Sequence, residues 1–218
     1  LLVRRQRQMC IRDRYFPLVG LVIGFLLAAI NYSLFYIETP LFLRVTLLLL
    51  AEIIITGGLM YDGFMDTADG VFSARSRERM LEIMKDSHVG SNAVLAIIIL
   101  LLLKIAAYLE LSGETLTWVL LTMSVATRTF MVVFIVNFPY ARKEGIGHMF
   151  TKYAKPFYTY IAFAVCAGII AACGLQYLAV AGICFTVTLI IAQYLKTQLG
   201  GLTGDTYGCL LYTSDAAD

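Results

Sequence analysis

Charged residues are scarce in this chain. Asp, Glu, Lys and Arg make up only 15% of its 218 residues, whereas 60% are hydrophobic, and the mean hydropathy is +0.79. Because soluble domains carry about a quarter charged residues, this scarcity excludes an ordinary water-soluble fold. The sequence also lacks low-complexity stretches, an obvious internal repeat and any linker longer than a loop. A string of small soluble domains is therefore excluded as well.

Cysteine pairs with metal-binding spacing are absent. The chain has five cysteines, and no two of them form a C-x-x-C motif. Cys166, Cys173 and Cys184 all fall inside hydrophobic runs. We therefore predict that these three are buried small side chains rather than metal ligands or disulfide partners.

The two ends of the chain look foreign to the rest of it. Residues 4–13 read RRQRQMCIRD, and residues 209–218 read CLLYTSDAAD. The first segment can be back-translated into a DNA sequence whose reverse complement encodes the second segment. That DNA also resembles a sequencing adapter. We therefore interpret residues 1–14 and 209–218 as adapter-derived, and residues 15–208 as a membrane-embedded domain truncated at both ends.

The terminal segments also hold the excess of basic residues. When their five arginines and three aspartates are set aside, the net charge of +2 becomes zero. A neutral chain gives no reason to expect a polybasic arm, and we predict no nucleic-acid partner.

Six hydrophobic runs have the length needed to cross a bilayer, which is about 20 residues. They are rich in Leu, Ile and Val and do not alternate with period two, so they favour helices over barrel strands. The predicted fold class is all-α, a polytopic transmembrane helical bundle of six spans plus the start of a truncated seventh after Gly200. The predicted spans are 16–37, 40–61, 93–110, 115–137, 156–174 and 177–195.

Basic residues occur in every second loop between these spans. They are Arg75, Arg77, Arg79 and Lys85 in one loop, Arg142, Lys143, Lys152 and Lys155 in another, and Lys196 after the sixth span. The remaining short loops carry acidic residues or no charge. Because basic loops stay on the cytoplasmic side, we expect 62–92, 138–155 and 196–208 to face the cytoplasm.

Three aspartates in the first basic loop carry the strongest chemical signal. Asp62, Asp66 and Asp69 are spaced i, i+4 and i+7, which on a helix continuing out of the second span places all three carboxylates on one face. Such crowded like charges repel one another unless a cation offsets them, and hard oxygen ligands suit Mg²⁺, Mn²⁺ or Ca²⁺. We predict that the three aspartates are metal ligands and catalytic residues. The simpler alternative is an acidic helix end exposed to water.

Further candidates surround this run. The amphipathic stretch 75–85 brings back Asp86 as a fourth catalytic carboxylate. Glycines within the aspartate run allow close backbone or ligand approach. At membrane depth, Glu52 and Lys104 are expected to pair structurally. The predicted substrate-binding residues are Arg75, Lys85, Arg128, Arg142 and Asp205.

The residues of three segments together resemble a known family. The run TGGLMYDGFMDTADGVFSARSRERMLEIMKDS, the loop PYARKEGIG and the closing LGGLTGDTYG are similar to signature segments of the cobalamin synthases, the adenosylcobinamide-GDP ribazoletransferases. Asp62, Asp66 and Asp69 match the aspartates of that family's DGxxDxxDG motif, and Asp86 matches the aspartate of its KDS motif. Met60 stands where the family usually has histidine.

The resemblance implies a multi-pass enzyme of the bacterial or archaeal inner membrane with a cytoplasmic active site. It implies Mg²⁺ as cofactor, and adenosylcobinamide-GDP and α-ribazole or its 5′-phosphate as substrates, with GMP released and adenosylcobalamin completed. The lipid bilayer is the other expected partner, and a homo-oligomer is left open. Two alternatives remain at this stage, a CDP-alcohol phosphotransferase acting on phospholipid headgroups and a cation transporter.

Overall fold

The computed structural model describes residues 16–111, 113–142 and 156–216, and within these ranges the regular structure is entirely helical. This confirms the predicted all-α class. The nine helices of the described ranges are α1 Phe16–Tyr36, α2 Leu41–Thr56, α3 Leu59–Phe72, α4 Arg77–Ile83, α5 Ser91–Glu110, α6 Gly113–Asn137, α7 Pro156–Cys173, α8 Leu175–Leu199 and α9 Gly204–Ala216.

Four of these helices, α1, α5, α6 and α8, are long and apolar enough to cross a membrane. A fifth span results if α2 and α3 are taken together, although the chain bends by 92° between them. Within α7, the apolar stretch Thr159–Cys173 is shorter. The multi-pass membrane character is therefore supported at four to five spans, and the count of six plus a seventh stays a prediction.

The second predicted span is interrupted by a double glycine. Gly57 and Gly58 have φ values of 67° and 68°, in the left-handed region, and the Gly58 N–H donates to the Ile53 carbonyl oxygen at 3.0 Å. Side chains with a Cβ are strained in this region, so the two glycines end α2 and let α3 start in a new direction. The prediction that the aspartate helix continues out of the second span is therefore wrong.

Helix α6 lies at the centre of the bundle, with an unbroken run of buried residues from Thr122 to Ile135. It packs against α1 at glycines that leave no room for a side chain. A Cβ at Gly24 would lie 2.9 Å from the Leu121 carbonyl oxygen. Small residues at such crossings let two membrane helices approach closely, where dispersion contacts hold them together.

One buried ion pair joins α2 to α5. The Lys104 Nζ lies 2.9 Å from both carboxylate oxygens of Glu52, and both residues are buried. The same ammonium lies 5.7 Å from the ring centroid of Tyr108. This confirms the predicted structural pairing, because each charge offsets the cost of burying the other at membrane depth.

The cysteine prediction is confirmed for two of its three residues. Cys166 and Cys184 are buried in helices as free thiols, whereas Cys173 at the end of α7 is half-buried. Helix α9 extends through Cys209 into the segment interpreted as adapter-derived, and residues 1–15 lie outside the described ranges. The interpretation of the two ends stays a prediction.

Candidate active site

Helices α3 and α9 cross at two glycines, and this crossing brings two of the sequence motifs together. A Cβ at Gly63 would lie 2.8 Å from the carbonyl oxygen of Asp205, and a Cβ at Gly208 would lie 2.9 Å from that of Met60. The backbone of the aspartate run therefore packs directly on the GDTYG segment. These glycines serve the backbone approach that the sequence predicted for the run.

Hydrogen bonds within the segment 202–206, and between this segment and Ala141, fix the start of α9. The N–H of Thr203 donates to the Thr206 hydroxyl oxygen at 2.7 Å, and the N–H of Thr206 donates to the Thr203 hydroxyl oxygen at 3.2 Å. In addition, the Ala141 N–H donates to the Leu202 carbonyl oxygen at 2.8 Å. This last contact ties the segment after α6 to the start of α9.

As a result, Arg142 lies beside Asp205. The Arg142 Nη2 and the Asp205 Oδ2 are 2.9 Å apart, and both side chains are partly exposed. The distance is that of an ion pair, yet the Arg142 Nε and Nη2 make no aligned hydrogen bond with the described residues. Arg142 therefore keeps donor capacity for a further anionic group.

A cavity of about 290 Å³ opens along the aspartate face of α3. Asp62, Asp66 and Asp69 form one wall, and the loop between α4 and α5 forms the other. The loop contributes Lys85, Asp86, Ser87, His88 and Val89. The structure thus confirms that the three aspartates share a face and that Asp86 returns beside them.

Negative charge dominates this site. Asp66, which is partly buried, interacts electrostatically with the carboxylates of Asp62, Asp69 and Asp205 and with the single guanidinium of Arg142. Ionised carboxylates this close repel one another, and an added cation offsets the repulsion. The site is therefore suited to attract a cation.

Asp69 has a local packing partner of its own. Its carboxylate lies against Gly90, the residue that precedes the first turn of α5, and a Cβ at Gly90 would collide with it. The amino-terminal end of a helix carries a partial positive charge that stabilises a nearby anion. Asp69 therefore lies at the start of α5, where this partial charge favours its ionised carboxylate.

The residues present fit a divalent cation by their donor chemistry, although not as a complete coordination sphere. Within the described residues, no three Asp, Glu, His or Cys side chains converge as metal ligands. Mg²⁺ is commonly held by one or two carboxylates together with substrate phosphates and waters. Asp62 and Asp66, one turn apart on the cavity wall, suit such a partial set, and the assignment of all three aspartates as ligands stays a prediction.

Asp86 and His88 form a second charged group at the cavity. His88 was not among the residues predicted from the sequence. The Asp86 Oδ1 accepts the backbone N–H of His88 at 3.1 Å and lies 2.5 Å from its ring Nδ1. This hydrogen bond lowers the pKa of Asp86 and raises the pKa of His88. The available signal was the D-x-H spacing directly after the amphipathic stretch.

Of the five predicted substrate-binding residues, Lys85 lines this cavity. Arg142 and Asp205 do not line it but lie within electrostatic range of Asp66, and Arg75 and Arg128 lie elsewhere. Arg75 is exposed in the turn after α3, next to Ala74, whose φ is 52°. Arg128 is buried in α6, donates to the Thr127 hydroxyl oxygen at 3.1 Å, and lines a separate small void with Glu52. The structure places neither residue on the cavity wall, so substrate binding by each of them stays a prediction.

These features together define a class of protein. The chain is an all-helical, multi-pass membrane protein with a carboxylate-lined cavity at its polar helix α3, suited to cation-assisted chemistry on an anionic substrate. The family model described as cobalamin-5-phosphate synthase matches residues 4–217. The chain belongs to this family.

Curated relatives agree with the family. A protein of Desulforamulus reducens is 41% identical over 197 residues, covering 90% of this chain and 79% of the relative. A protein of Desulfitobacterium hafniense is 37% identical over 209 residues, covering 93% and 82%. A Roseiflexus protein is 40% identical over 200 residues, covering 90% and 73%. All three carry the name adenosylcobinamide-GDP ribazoletransferase. No solved structure matches the chain.

Proposed function

We propose that this chain is an adenosylcobinamide-GDP ribazoletransferase. It transfers the adenosylcobinamide-phosphate group from adenosylcobinamide-GDP to α-ribazole or its 5′-phosphate, releases GMP and completes adenosylcobalamin. The observation that carries the proposal is the cavity in which Asp62, Asp66, Asp69 and Asp86 meet, in a chain whose relatives bear the name of this enzyme.

The reaction is a displacement at phosphorus. A ribose hydroxyl oxygen that is free in both acceptors attacks the β-phosphorus of the GDP linkage, and the bond between that phosphorus and the bridging oxygen breaks. The electron pair of the broken bond leaves with GMP, and the hydroxyl proton passes to a base on the cavity wall. Asp86 and Asp69 are two carboxylates that could accept that proton.

The acidic wall requires a partner cation before it can accept a diphosphate. Asp62 and Asp66, with Asp69 beside them, would hold Mg²⁺. The cation would supply positive charge that offsets the negative charge of the diphosphate and of the departing GMP. The chain's own role is to position the carboxylates rigidly, because Gly63 packs α3 against the backbone of Asp205.

We propose that two basic side chains complete the site. Lys85 lies on the cavity wall, and Arg142, paired with Asp205, keeps unaligned donors. An arginine fork suits two phosphate oxygens, and a lysine supplies a point charge. We propose that both bind the non-bridging oxygens as negative charge develops on them. Arg75 and Arg128 remain candidates for more distant parts of the substrate.

We also propose a location and topology. Six spans and a seventh beginning after Gly200 would place the chain in the bacterial or archaeal inner membrane, with the cavity on the cytoplasmic face. The alternation of basic loops supports this orientation, and so does the gathering of polar groups in the loop 83–89 beside α3.

The test is GMP release by membranes from cells that express the chain. With adenosylcobinamide-GDP, α-ribazole and Mg²⁺, we expect GMP and a cobalamin product in equal amounts. Membranes without the chain are the control, and a CDP-alcohol donor with the same acceptor should give no product. Absence of GMP in the complete mixture, or turnover of the CDP-alcohol instead, would contradict the proposal.

A further inference from the structure

We propose that His88 is the general base that accepts the acceptor's hydroxyl proton, and that Asp86 is its positioning residue. This inference rests on the proposed transferase function and assigns a role that its mechanism leaves unsettled. It follows from where the pair lies, how the pair is bonded, and what the neighbouring carboxylates already contact.

The bonding of the pair orients the imidazole. Asp86 accepts the backbone N–H of His88 and lies 2.5 Å from its ring Nδ1, so the carboxylate holds the exposed imidazole at one ring nitrogen. When the ring is neutral and its Nδ1–H donates to the carboxylate, Nε2 carries the free lone pair. A carboxylate that fixes the tautomer of a histidine in this way leaves the opposite nitrogen ready to accept a proton.

The location of the pair is the acidic cavity itself. His88 lines the same cavity as Asp62, Asp66 and Asp69, with Lys85 and Asp86 as its charged neighbours on the loop. When an acceptor hydroxyl approaches a diphosphate in this cavity, His88 lies on the wall opposite α3. The chain contains only two histidines, and the other, His148, lies outside the described residues.

The carboxylates proposed earlier as bases are less suited to the task. Asp86 already accepts two hydrogen bonds, and these lower its pKa, which makes it a weaker base than a free carboxylate. Asp69 packs against Gly90 at the start of α5. By contrast, the hydrogen bond that His88 donates to Asp86 raises the pKa of His88, and a base works best when its pKa lies near the ambient pH.

The Nε2 of His88 takes the proton of the attacking ribose hydroxyl as the new oxygen–phosphorus bond forms. The bridging phosphorus–oxygen bond breaks with its electron pair on GMP. The resulting imidazolium, stabilised by Asp86, returns its proton to water once the product has left.

The first test is His88→Gln, assayed by GMP release after the wild-type chain has been shown to be active. We expect kcat to fall by about 10²–10⁴-fold with KM nearly unchanged, which is the usual contribution of a general base. Glu82→Gln is the matched control, because Glu82 is exposed on α4 and pairs only with the exposed Arg79. An inactive wild type would overturn the transferase proposal, whereas a His88→Gln variant with the wild-type kcat would overturn this inference alone.

The second test uses the pH profile, which a purely structural role would not move. The acidic limb of kcat/KM should report the pKa of His88 and should vanish in His88→Gln. Asp86→Asn removes the carboxylate that raises this pKa, so the limb should shift to lower pH, toward the ordinary histidine value of about 6.5. Imidazole added to His88→Gly should restore part of the rate. A raised KM alone, or an acidic limb unchanged in Asp86→Asn, would show that His88 does not act as the base.

Discussion

The charged residues of this protein fall into two populations that differ in their surroundings. Glu52 and Lys104 are buried in the helical bundle and bonded to each other, whereas the carboxylates of α3 line an open cavity and repel one another. Buried charges with good geometry are structural, since each offsets the desolvation of the other. Crowded carboxylates with access to water are better explained by a ligand that they bind.

Removing one partner of the buried pair should destabilise the fold. We expect Glu52→Gln to lower the free energy of unfolding by about 3–5 kcal/mol, because it leaves the Lys104 ammonium buried without its carboxylate. The double variant Glu52→Gln with Lys104→Met should regain most of this loss. Thermal unfolding in detergent measures the effect, with the exposed Glu110→Gln as control. Equal stability of Glu52→Gln and the wild type would show that the pair contributes little.

For individual residues, the sequence indicated most of the charged residues of the site but few of the side chains that they contact. The pairing of Glu52 with Lys104 could be predicted, because opposite charges within apolar spans have few other charged groups with which to pair. The place of Arg128 could not, since nothing in its own span says which helix face meets the cavity. His88 was overlooked because its partner is a loop residue, and loop conformation is not encoded by a hydrophobic period.

Among the elements, α3 determines the geometry of the site. Its direction follows from the left-handed Gly57 and Gly58, and its position follows from the close crossing with α9 at Gly63 and Gly208. A side chain inserted at the crossing must push the two helices apart, because the atoms that it meets are backbone.

Gly63→Ala should therefore impair both stability and turnover. Its Cβ would lie 2.8 Å from the carbonyl oxygen of Asp205, and overpacking of this kind costs about 1–3 kcal/mol. Gly168→Ala is the matched control, because a Cβ there meets nothing within 4 Å and alanine favours a helix by up to about 1 kcal/mol. Unfolding temperature and GMP release are the measurements. A Gly63→Ala variant as active and stable as the control would contradict the tight crossing.

Helix limits were predictable from the sequence to within a few residues for most spans, and the exception is instructive. The predicted span 40–61 runs through Gly57 because apolar residues continue on both sides of it. Hydropathy measures composition and not backbone direction, so it does not register a 92° bend. The bend instead follows from the left-handed backbone of Gly57 and Gly58 between α2 and α3.

For the whole molecule, the proposed topology would place the cavity on one side of the membrane. All-helical structure and several spans were predictable from the long hydrophobic runs without period-two alternation, since lipid permits only helices and closed barrels. How the spans pack around α6 was not predictable, because it depends on glycine contacts such as that of Gly24 with Leu121, which a single sequence does not reveal.

Cysteine labelling tests the proposed orientation. Arg79→Cys, exposed on α4, should react with an impermeant maleimide only in inverted vesicles, when the native cysteines are replaced by serine. Glu114→Cys, exposed at the start of α6, should react only from outside the intact cell, because its loop lacks basic residues. The reverse pattern would place the cavity on the outer face.

The most direct measurement of the central claim is Mg²⁺-dependent GMP release by Asp62→Asn, compared with the wild type and with Glu78→Gln. Glu78 is exposed on α4 and does not line the cavity, so its variant should retain activity. Changing a residue that only supports a metal ligand usually lowers metal affinity or activity by about 10- to 100-fold. Asp62 is proposed as a ligand itself, so Asp62→Asn should lower the rate of GMP release at least about 100-fold at equal membrane expression. Turnover by Asp62→Asn at the wild-type rate and with the wild-type Mg²⁺ dependence would contradict the assignment of the acidic cavity as the cation and diphosphate site.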